Sequence, residues 1–330
     1  MIFVTGANGF IGRHVVRELL DAGLPFRVLL SRPNEEFESQ FPGVETVCGD
    51  LLDEEVLTTG LAGAQVVLHL AAKNIDHDQS GFERINVEGT RRLCRCAAEV
   101  GVERVIYLSS VGVYGHGRHR GADESTPRHP DTPFSRSKAA AEDVIFEHHR
   151  KRNFQGLVLR HRFVYGEGDR AVMPRLIRAA RKYKFWIGGG RAQMSWVWAR
   201  DLARVFHRLA VGEPWPWEEA PVYHVTDGRP ITYREVILEI CRSFGFQPPK
   251  VSVPFLLLYA PVRLREILLG IDPEVSTSSI TSIRLNFVAQ DHSFSSRKLH
   301  NLLGDFRWAG FEEGFRQCLD DYQRELAAGE

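Results

Sequence analysis

The sequence predicts an α/β fold in which a parallel sheet is covered by helices on both faces and followed by a smaller, mainly helical lobe. Two observations support this fold class. Short apolar, β-prone segments alternate with stretches of helical periodicity near residues 2–5, 26–30, 44–47, 65–70, 104–108 and 156–160. The alternation stops after residues 166–169, and helical stretches dominate the rest of the chain. Strands that alternate with helices are typical of a doubly wound parallel sheet.

The segment after the first strand predicts a dinucleotide site. Residues 6–12 contain three glycines, and the apolar residues that follow recur at helical spacing. Gly6 permits a tight turn, Gly9 lets the backbone approach a pyrophosphate, and Gly12 lets the helix pack close to the strand. Because a strand precedes the motif and a helix follows it, we interpret it as the phosphate-binding turn of a Rossmann-type fold.

The change near residue 170 from alternating strands and helices to a mainly helical pattern predicts two domains. Residues 1–170 are expected to form the dinucleotide-binding domain. Residues 171–330 are expected to form mainly a substrate-binding lobe, with some segments returning to the sheet. Within this lobe the pattern predicts helices near residues 172–183, 199–210 and 232–244, and three more helical stretches after residue 254.

Composition excludes some functions and favours others. The 42 basic and 42 acidic residues give a formal net charge of zero, which predicts no nucleic-acid partner. The five cysteines form no Cys-x-x-Cys motif, and the first strand begins at residue 2, which leaves no room for a signal peptide. We therefore expect a reduced, cytoplasmic protein without a metal site.

The longest apolar stretch covers residues 253–262. It is too short to span a bilayer, which needs about 20 residues. The stretch is predicted to begin a buried helix. The wall of an apolar substrate pocket and a peripheral contact with a membrane surface are the alternative interpretations.

Seven motifs occur in the same order as in the extended short-chain dehydrogenase/reductase superfamily, which includes the NAD(P)-dependent epimerases and dehydratases. They are the glycine motif and residues 49–51, 69–72, 86–90, 109–115, 137–142 and 159–166. The chain resembles this superfamily over nearly its whole length. The resemblance implies that a nicotinamide cofactor binds at the glycine turn and that Ser110 and Lys138 belong to the catalytic group.

The resemblance also assigns the remaining site residues. The residues that it implies for cofactor binding are Gly6, Asn8, Gly9, Phe10, Ile11, Gly12, Ser31, Arg32, Asp50, Leu51, Leu70, Ala71, Ala72, Lys73, Ser109, Lys138, Arg160, Phe163 and Val164. The residues that it implies for the substrate pocket are Lys73, Val111, Tyr165, Met194 and Trp196.

Phe134 stands where the superfamily has its catalytic tyrosine. A tyrosine four residues before Lys138 would share a helix face with it, and the ammonium would lower the pKa of the phenol from about 10. Such a phenol donates or accepts a proton near neutral pH. Phenylalanine keeps the ring and lacks the oxygen that carries the proton.

Three interpretations of Phe134 are open. In the first, the natural enzyme has tyrosine and the phenylalanine was introduced to trap a complex. In the second, a natural enzyme takes its proton from a substrate group, from Ser110 or from water held by Lys138. In the third, the protein is inactive and binds the nucleotide as a sensor or scaffold.

The end of the second strand bears on the choice of nucleotide. An acidic residue there would bind the ribose 2′-hydroxyl of NAD. This chain has Leu30-Ser31-Arg32-Pro33 instead, in which Arg32 would pair with a 2′-phosphate and Ser31 would donate a further hydrogen bond. The sequence favours NADP(H), and NAD(H) is the alternative.

The C-terminal half bears on the substrate. Nucleotide-sugar epimerases and dehydratases usually carry an Arg-Asp pair just before a Val-x-Asp segment, whereas in residues 193–201 only Asp201 matches. Residues 253–257, 294–299 and 311–314 resemble the 3β-hydroxysteroid dehydrogenase and sterol-4-carboxylate dehydrogenase branch. This branch implies an apolar hydroxy or keto substrate, sterol-like or long-chain. A nucleotide-sugar epimerase or dehydratase is the second hypothesis, and the superfamily implies a homodimer through helices near residues 81–100 and 134–152.

Overall fold

The computed structural model describes residues 1–74, 80–212, 217–219, 221–271 and 280–328. The strands are β1 (Ile2–Thr5), β2 (Phe26–Leu30), β3 (Glu45–Cys48), β4 (Val66–His69), β5 (Arg104–Ser110), β6 (His119–Ala122), β7 (Gln155–His161), β8 (Phe163–Tyr165), β9 (Phe185–Ile187), β10 (Gln193–Met194), β11 (Trp196–Trp198), β12 (Val222–Val225), β13 (Ile231–Thr232), β14 (Val251–Val253) and β15 (His292–Phe294). The α-helices are α1 (Phe10–Asp21), α2 (Glu35–Gln40), α3 (Glu54–Leu61), α4 (Gly89–Glu99), α5 (Pro133–Arg150), α6 (Met173–Lys182), α7 (Ala199–Val211), α8 (Tyr233–Phe244), α9 (Phe255–Leu268), α10 (Ser282–Ala289), α11 (Arg297–Leu303) and α12 (Gly310–Ala328). Shorter helical segments are a π-helix at Phe82–Glu88 and 3₁₀ turns at Val111–Tyr114 and Gly188–Gly190.

A parallel sheet of seven strands forms the centre of the molecule, in the order β3-β2-β1-β4-β5-β7-β12. The six strands that the sequence predicts are present, each with ends within two residues of the predicted ones. The predicted fold class is therefore confirmed. Strand order changes direction between β1 and β4, and in such sheets ligands bind beside the carboxyl ends of the strands at this point.

Apolar clusters cover both faces of this sheet because side chains alternate along each strand. Val4 belongs to the cluster that α1 and α7 complete, and Phe3 belongs to the cluster that α3, α4 and α5 complete. The helix α7 comes from the C-terminal half of the chain and packs against α1. His207 Nδ1 and Glu18 Oε1 lie 2.7 Å apart at this contact.

The smaller lobe is built on a four-stranded sheet in the order β13-β10-β15-β6 and on two strand pairs, β8 with β11 and β9 with β14. An apolar cluster that includes Trp196, Ile237 and Phe315 packs α6, α8 and α12 against these strands. Three elements of the described chain beyond residue 170 leave the lobe, since β12 pairs with β7, α7 packs against α1 and α11 packs against β12. The division into domains at residue 170 stays a prediction.

The C-terminal part departs from the prediction of three helical stretches after residue 254, because four helices, α9 to α12, form there. The shortest of these four helices are α10 and α11, with eight and seven residues. Two turns of helix are too short for an apolar period to stand out in the sequence. A local cap sets the start of α10, where the side chain of Thr281 accepts from the backbone N of Arg284 at 3.3 Å.

The prediction that residues 253–262 begin a buried helix is wrong. They contribute to β14 and α9, and Leu256, Leu257 and Leu268 of α9 expose 70%, 66% and 73% of their surface. Apolar character predicted burial, but burial requires a neighbouring element, and α10 packs against one side of α9. A role as a substrate wall or membrane contact stays a prediction. Within the described part of the chain, no helix combines the length and the apolar character needed to cross a bilayer.

Candidate active site

The turn between β1 and α1 is closed around its glycines. Gly6 has a φ of 76°, and a Cβ at this position would lie 2.5 Å from the backbone N of Ala71. A Cβ at Gly12 would overlap the carbonyl oxygen of Gly6. Side chains are therefore excluded at both positions, and the start of α1 lies close to the carboxyl ends of β1 and β4.

The N-terminus of α1 fits a pyrophosphate. Its first N–H groups have no side-chain acceptor at the N-cap, because that residue is Gly9. Arg13 holds the preceding loop, since its Nη2 donates to Asn8 Oδ1 at 2.8 Å and its Nη1 lies 2.8 Å from Glu36 Oε1. The predicted cofactor residues of this loop that keep some exposure are Gly6, Asn8, Gly9, Phe10 and Ile11, whereas Gly12 is buried.

The predicted nucleotide-discriminating residues lie at the end of β2. Ser31 and Arg32 are both exposed. The guanidinium of Arg32 makes no hydrogen bond or ion pair with the described residues. It is therefore available to a ligand.

The histidine at the end of β4 is fixed by two threonines. The single hydroxyl hydrogen of Thr90 is donated to the backbone oxygen of Asn86 at 2.6 Å. The 2.9 Å bond between Thr90 Oγ1 and His69 Nε2 is therefore donated by the histidine. On the other side of the ring, Thr5 Oγ1 donates to His69 Nδ1 at 2.7 Å. Burial, followed by the charge of Lys138, lowers the pKa of His69 to about 3. The ring is therefore neutral at pH 7 and joins β1, β4 and α4.

Asn86 ties the loop after β4 to α5. Its Oδ1 accepts from the backbone N of Lys73 at 2.7 Å, and its Nδ2 donates to Ser137 Oγ at 2.9 Å. Ser137 Oγ donates to the carbonyl oxygen of Phe134 at 2.8 Å. Asn86 lies in the π-helix, a deviation that is frequent at functional sites. The predicted cofactor residues on this partly exposed loop are Leu70, Ala71, Ala72 and Lys73.

The first turns of α5 carry two of the predicted catalytic positions. The helix begins at a capping box, in which Thr132 Oγ1 accepts from Ser135 N at 3.0 Å and Ser135 Oγ accepts from Thr132 N at 2.9 Å. Phe134 and Lys138 lie one turn apart on the same side of this helix. Phe134 is half-buried, and its ring meets Phe82 edge-on with the centroids 6.0 Å apart.

Lys138 is buried, with 3% of its surface exposed. Its Nζ donates to the carbonyl oxygen of Leu108 at 2.7 Å and lies 4.2 Å from the centre of the Tyr107 ring. Burial lowers the pKa of Lys138 to about 7, against the opposing charge of Glu142. Near neutral pH both protonation states of this amine are therefore populated.

Ser110 ends β5 beside the start of α5. Its Oγ accepts from Gly112 N at 3.0 Å. A Cβ at Gly112 would lie 3.3 Å from Ser110 Oγ and 3.8 Å from Ser135 Cβ, so this turn abuts the first turn of α5. The neighbouring strand places His161 opposite Ser110, and burial with the charge of Lys138 lowers the pKa of His161 to about 4. Ser110 thus lies at the end of β5 and Lys138 in the helix that this turn abuts, and their catalytic roles stay a prediction.

Two predicted cofactor residues bind a carboxylate that the sequence did not single out. Glu142 Oε1 accepts from Ser109 Oγ at 2.5 Å and from Arg160 Nε at 2.8 Å, and its Oε2 accepts from Arg160 Nη2 at 2.6 Å. Arg160 Nη1 donates to Tyr114 Oη at 2.6 Å. Ser109, Glu142 and Arg160 are buried, so their contact with a cofactor stays a prediction. The sequence features that could have indicated this contact are an acidic residue one turn after Lys138 and an arginine inside an apolar strand.

The other predicted cofactor residues differ in exposure. Asp50 is exposed and its Oδ1 accepts from Leu52 N at 3.0 Å, whereas Leu51 is buried against Gly89 of α4. Phe163 is half-buried and stacks on Trp196 with the centroids 4.8 Å apart. Val164 exposes 6% of its surface, and its contact with the nicotinamide side of the cofactor stays a prediction.

Four of the five predicted pocket residues belong to the apolar interior. The buried residues are Val111, Tyr165, Met194 and Trp196, while Lys73 is exposed. Tyr165 Oη donates to Asp227 Oδ2 at 3.0 Å, and Trp196 lies between the rings of Phe163 and Phe311. Contact of these buried side chains with a substrate stays a prediction, and it requires neighbouring side chains to move.

A family model places this site in a wider group. The model described as the NAD dependent epimerase/dehydratase family matches residues 2–213. The chain belongs to this family. Its members use a nicotinamide dinucleotide, and the cradle of Gly6 and Gly12 next to the free N-terminus of α1 fits such a cofactor.

Relatives of the chain support the oxidoreductase branch of the family. One is a 4-hydroxy-2-methyl-3-oxo-4-farnesyl-3,4-dihydroquinoline-1-oxide ketoreductase of Stigmatella aurantiaca, 30% identical over 81% of this chain and 80% of the relative. Another is the 3beta-hydroxysteroid-dehydrogenase/decarboxylase isoform 1 of Arabidopsis thaliana, 30% identical over 97% of this chain and 79% of the relative.

A solved structure shows the same fold. It is a dTDP-glucose 4,6-dehydratase from Streptomyces venezuelae, with a TM-score of 0.75 and 24% identity over 99% of this chain and 98% of that one. The resemblance to the superfamily and to its sterol dehydrogenase branch is thus confirmed, and the family is one of NAD-dependent enzymes.

Replacing Lys138 by Met tests the buried amine. Between pH 7 and the ordinary pKa of 10.5, the folded chain holds Lys138 neutral while the unfolded chain holds it protonated. Unfolding in this pH window therefore takes up a proton. As a result, the free energy of unfolding of the parent rises with pH relative to that of Lys138→Met, by up to roughly 1 kcal/mol per pH unit. Below pH 7 the difference between the two proteins is constant.

Urea denaturation of both proteins, without cofactor and at several pH values, measures this difference. Lys182, which is exposed, provides the matched control, and Lys182→Met should follow the parent at every pH. A constant difference between the parent and Lys138→Met from neutral to alkaline pH would contradict the lowered pKa.

Proposed function

We propose that the protein is an NAD(P)-dependent oxidoreductase that interconverts a hydroxyl and a keto group on an apolar, sterol-like or long-chain substrate. The observation that carries this proposal is the hydrogen bond from Lys138 Nζ to the carbonyl oxygen of Leu108 in β5, two residues before Ser110 at the carboxyl end of that strand. The named chemistry of the two relatives, a ketone reduction and a hydroxysteroid oxidation, supports it.

Each group at the site has a distinct task in this proposal. When bound, the nicotinamide supplies or accepts the hydride. Ser110 Oγ donates a hydrogen bond to the substrate oxygen, and Lys138 holds the nicotinamide ribose and stabilises negative charge near position 134. Phe134 keeps the shape of the site without providing a proton, so this chain binds its ligands and turns them over slowly.

The Phe134→Tyr variant tests the role of this position. The phenol would lie one turn from Lys138, whose positive charge lowers the pKa of a neighbouring phenol. General acid–base help is worth about 100-fold to 10,000-fold, so kcat should rise by a factor in this range. Initial rates of NADP(H) turnover with a hydroxy or keto substrate measure the change.

Phe82→Tyr is the matched control, because it adds a hydroxyl to the ring that meets Phe134 edge-on, on a different helix from Lys138. Its rate should equal that of the parent. An unchanged rate in Phe134→Tyr would contradict the interpretation as a trapped enzyme. The two remaining interpretations would then be an enzyme that uses a different acid and an inactive protein that binds the nucleotide as a scaffold.

The proposed cofactor is NADP(H). The guanidinium of Arg32 at the end of β2 is exposed and has no partner among the described residues, which supports this choice, because a 2′-phosphate gives it a charged partner. The related dehydratase structure was solved with NAD bound, so NAD(H) is the competing cofactor.

Titration calorimetry with NADP⁺ and NAD⁺ tests the nucleotide preference. The parent should bind NADP⁺ more tightly, and Arg32→Ala should reduce the ratio of the two affinities by about 10-fold, the value of one charged hydrogen-bonded contact. Arg178→Ala, which removes an exposed arginine from α6, should leave the ratio unchanged. Tighter binding of NAD⁺ by the parent would overturn the preference.

The proposed substrate class follows from the apolar lining. Met194, Trp196 and Trp198 stand where sugar-nucleotide enzymes place an arginine clamp, and apolar burial contributes roughly 25 cal/mol per Å². A diphosphate would lose its hydration there without gaining the expected partner.

The proposed assembly is a homodimer in which α4 and α5 form the interface. This part of the proposal rests on the resemblance to the superfamily alone.

A thermal-shift screen with cofactor present tests the substrate class. Steroid ketones and long-chain ketones should raise the unfolding temperature, whereas UDP- and dTDP-sugars should raise it little beyond the cofactor alone. Stabilisation by a nucleotide sugar combined with none by apolar ketones would reverse the order of the two hypotheses.

A further inference from the structure

A cavity of about 600 Å³ lies at the surface of the smaller lobe. It is found where the turn Gly188–Gly190 meets β9, β14 and α8. Three of the described residues that line it are basic, namely Arg191, Arg234 and Lys250, and none of those lining residues is acidic. The lining shares no residue with the predicted catalytic, cofactor or substrate positions, so the cavity is a feature separate from the candidate active site.

The three basic side chains are exposed and have no counter-charge. None of them makes an ion pair or a side-chain hydrogen bond with the described part of the chain. The two acidic residues of the neighbouring α8 already have partners, since Glu235 pairs with Arg229 at 3.0 Å and Glu239 pairs with Arg242. Like charges around one cavity repel each other, and an anion between them would relieve this repulsion.

An aromatic ring positions Arg234. Its guanidinium carbon lies 5.2 Å from the centre of the Trp186 ring, which is buried beneath it. Such a ring stabilises a guanidinium and leaves the N–H groups in its plane free to donate. A Cβ at Gly190 would lie 3.0 Å from Trp186 Cε3 and 3.1 Å from Arg234 Cβ. The absence of a side chain at this glycine therefore lets the turn pack directly against the arginine and its ring.

The same turn orients a further donor. Its three glycines have φ values of 57°, 73° and 68°, a conformation that side chains disfavour. The backbone N of Gly189 donates to Ser252 Oγ at 2.9 Å. This bond uses a lone pair of the hydroxyl oxygen, and the hydroxyl hydrogen has no acceptor among the described residues. Ser252 lines the cavity together with Lys250, so the cavity contains a hydroxyl donor as well as three cations.

This set of donors matches a terminal phosphate group. A phosphate monoester carries about −1.5 to −2 charges at pH 7 and three terminal oxygens, each a strong acceptor. Three cations give every terminal oxygen a charged donor. The diphosphate of a nucleotide sugar is esterified at both ends and has no terminal phosphate, so it matches less well. The volume lies in the range of small-molecule sites, about 300–1,000 Å³, which leaves room for the organic part of the ligand.

We propose that the cavity binds the terminal phosphate of a phosphate monoester, held by Arg191, Arg234, Lys250 and the hydroxyl of Ser252. Two sources share this chemistry, a soluble alcohol or sugar phosphate and the monoester headgroup of phosphatidic acid in a lipid surface. The site is independent of the proposed oxidoreductase function. A bound phosphate would link α8, β14 and the glycine turn, so it should also raise the unfolding temperature.

Calorimetric titration of glycerol 3-phosphate tests the proposal. NAD⁺ is present in excess, because it occupies the dinucleotide site without carrying a phosphate monoester. The parent should bind glycerol 3-phosphate at least about 10-fold more tightly than its methyl diester, which has lost one terminal oxygen and one charge. Arg191→Gln and Lys250→Gln should each weaken binding of the monoester by about 10-fold, as expected for one charged hydrogen bond. Arg191→Lys should retain more affinity than Arg191→Gln.

Two control variants remove exposed arginines that do not line the cavity. Arg178→Gln and, at the predicted 2′-phosphate position, Arg32→Ala should both bind glycerol 3-phosphate as the parent does. Unfolding temperatures measured without ligand show whether each variant is folded. Equal binding of monoester and diester by the parent, or a loss of binding in Arg32→Ala but not in Arg191→Gln, would overturn the assignment to this cavity.

Sedimentation with phosphatidylcholine vesicles that contain phosphatidic acid distinguishes the two sources. Binding to these vesicles that is lost in Arg191→Gln, without binding of glycerol 3-phosphate, would identify a lipid headgroup. Binding of glycerol 3-phosphate without vesicle binding would identify a soluble ligand. If the parent binds neither, the proposal is wrong, and the oxidoreductase proposal is unaffected because its tests use other residues and other ligands.

Discussion

The buried ion pair between Glu142 and Arg160 fixes the geometry on which the candidate site depends. The side chains expose 0% and 3% of their surface and meet at 2.6 Å. Removing one partner of such a pair costs about 3–5 kcal/mol, because the other charge is left buried. Since Glu142 belongs to α5 and Arg160 to β7, and Ser109 of β5 donates to the same carboxylate, the pair clamps the catalytic helix onto two strands.

This clamp also determines the state of Lys138. Glu142 lies one turn after the lysine, but its oxygens are already bound to Arg160 and Ser109. The ammonium is left with a carbonyl oxygen and the face of Tyr107, which compensate burial less well than a carboxylate does. The result is an amine that titrates near neutral pH beside position 134. A tyrosine at position 134 would place its phenol near this amine, and the contacts of the clamp do not involve the side chain of residue 134.

Features that depend on near neighbours in the chain were predictable, and features that depend on distant partners were not. The glycine turn and six strands follow from patterns a few residues long. By contrast, the Glu142–Arg160 pair joins residues 18 apart in the sequence. The lack of a hydrogen-bond partner for Arg162 Nε among the described residues depends on which parts of the fold approach it. The exposure of α9 and the burial of Trp196 have the same origin. Phe311 of α12 covers the tryptophan, whereas α9 meets α10 on one side.

The amount of charge at the site helps to separate the two substrate classes. Burial keeps His161 and His292 neutral at pH 7, so these imidazoles add no positive charge to that of Arg162. The guanidinium of Arg162 supplies one positive charge, whereas a sugar nucleotide brings a diphosphate with two negative charges that need donors of their own. The rings of Phe163 and Phe287, whose centres lie 4.6 Å and 4.7 Å from the guanidinium carbon, add apolar surface and no further donor. The charge available at the site therefore favours the proposed apolar substrate over a nucleotide sugar.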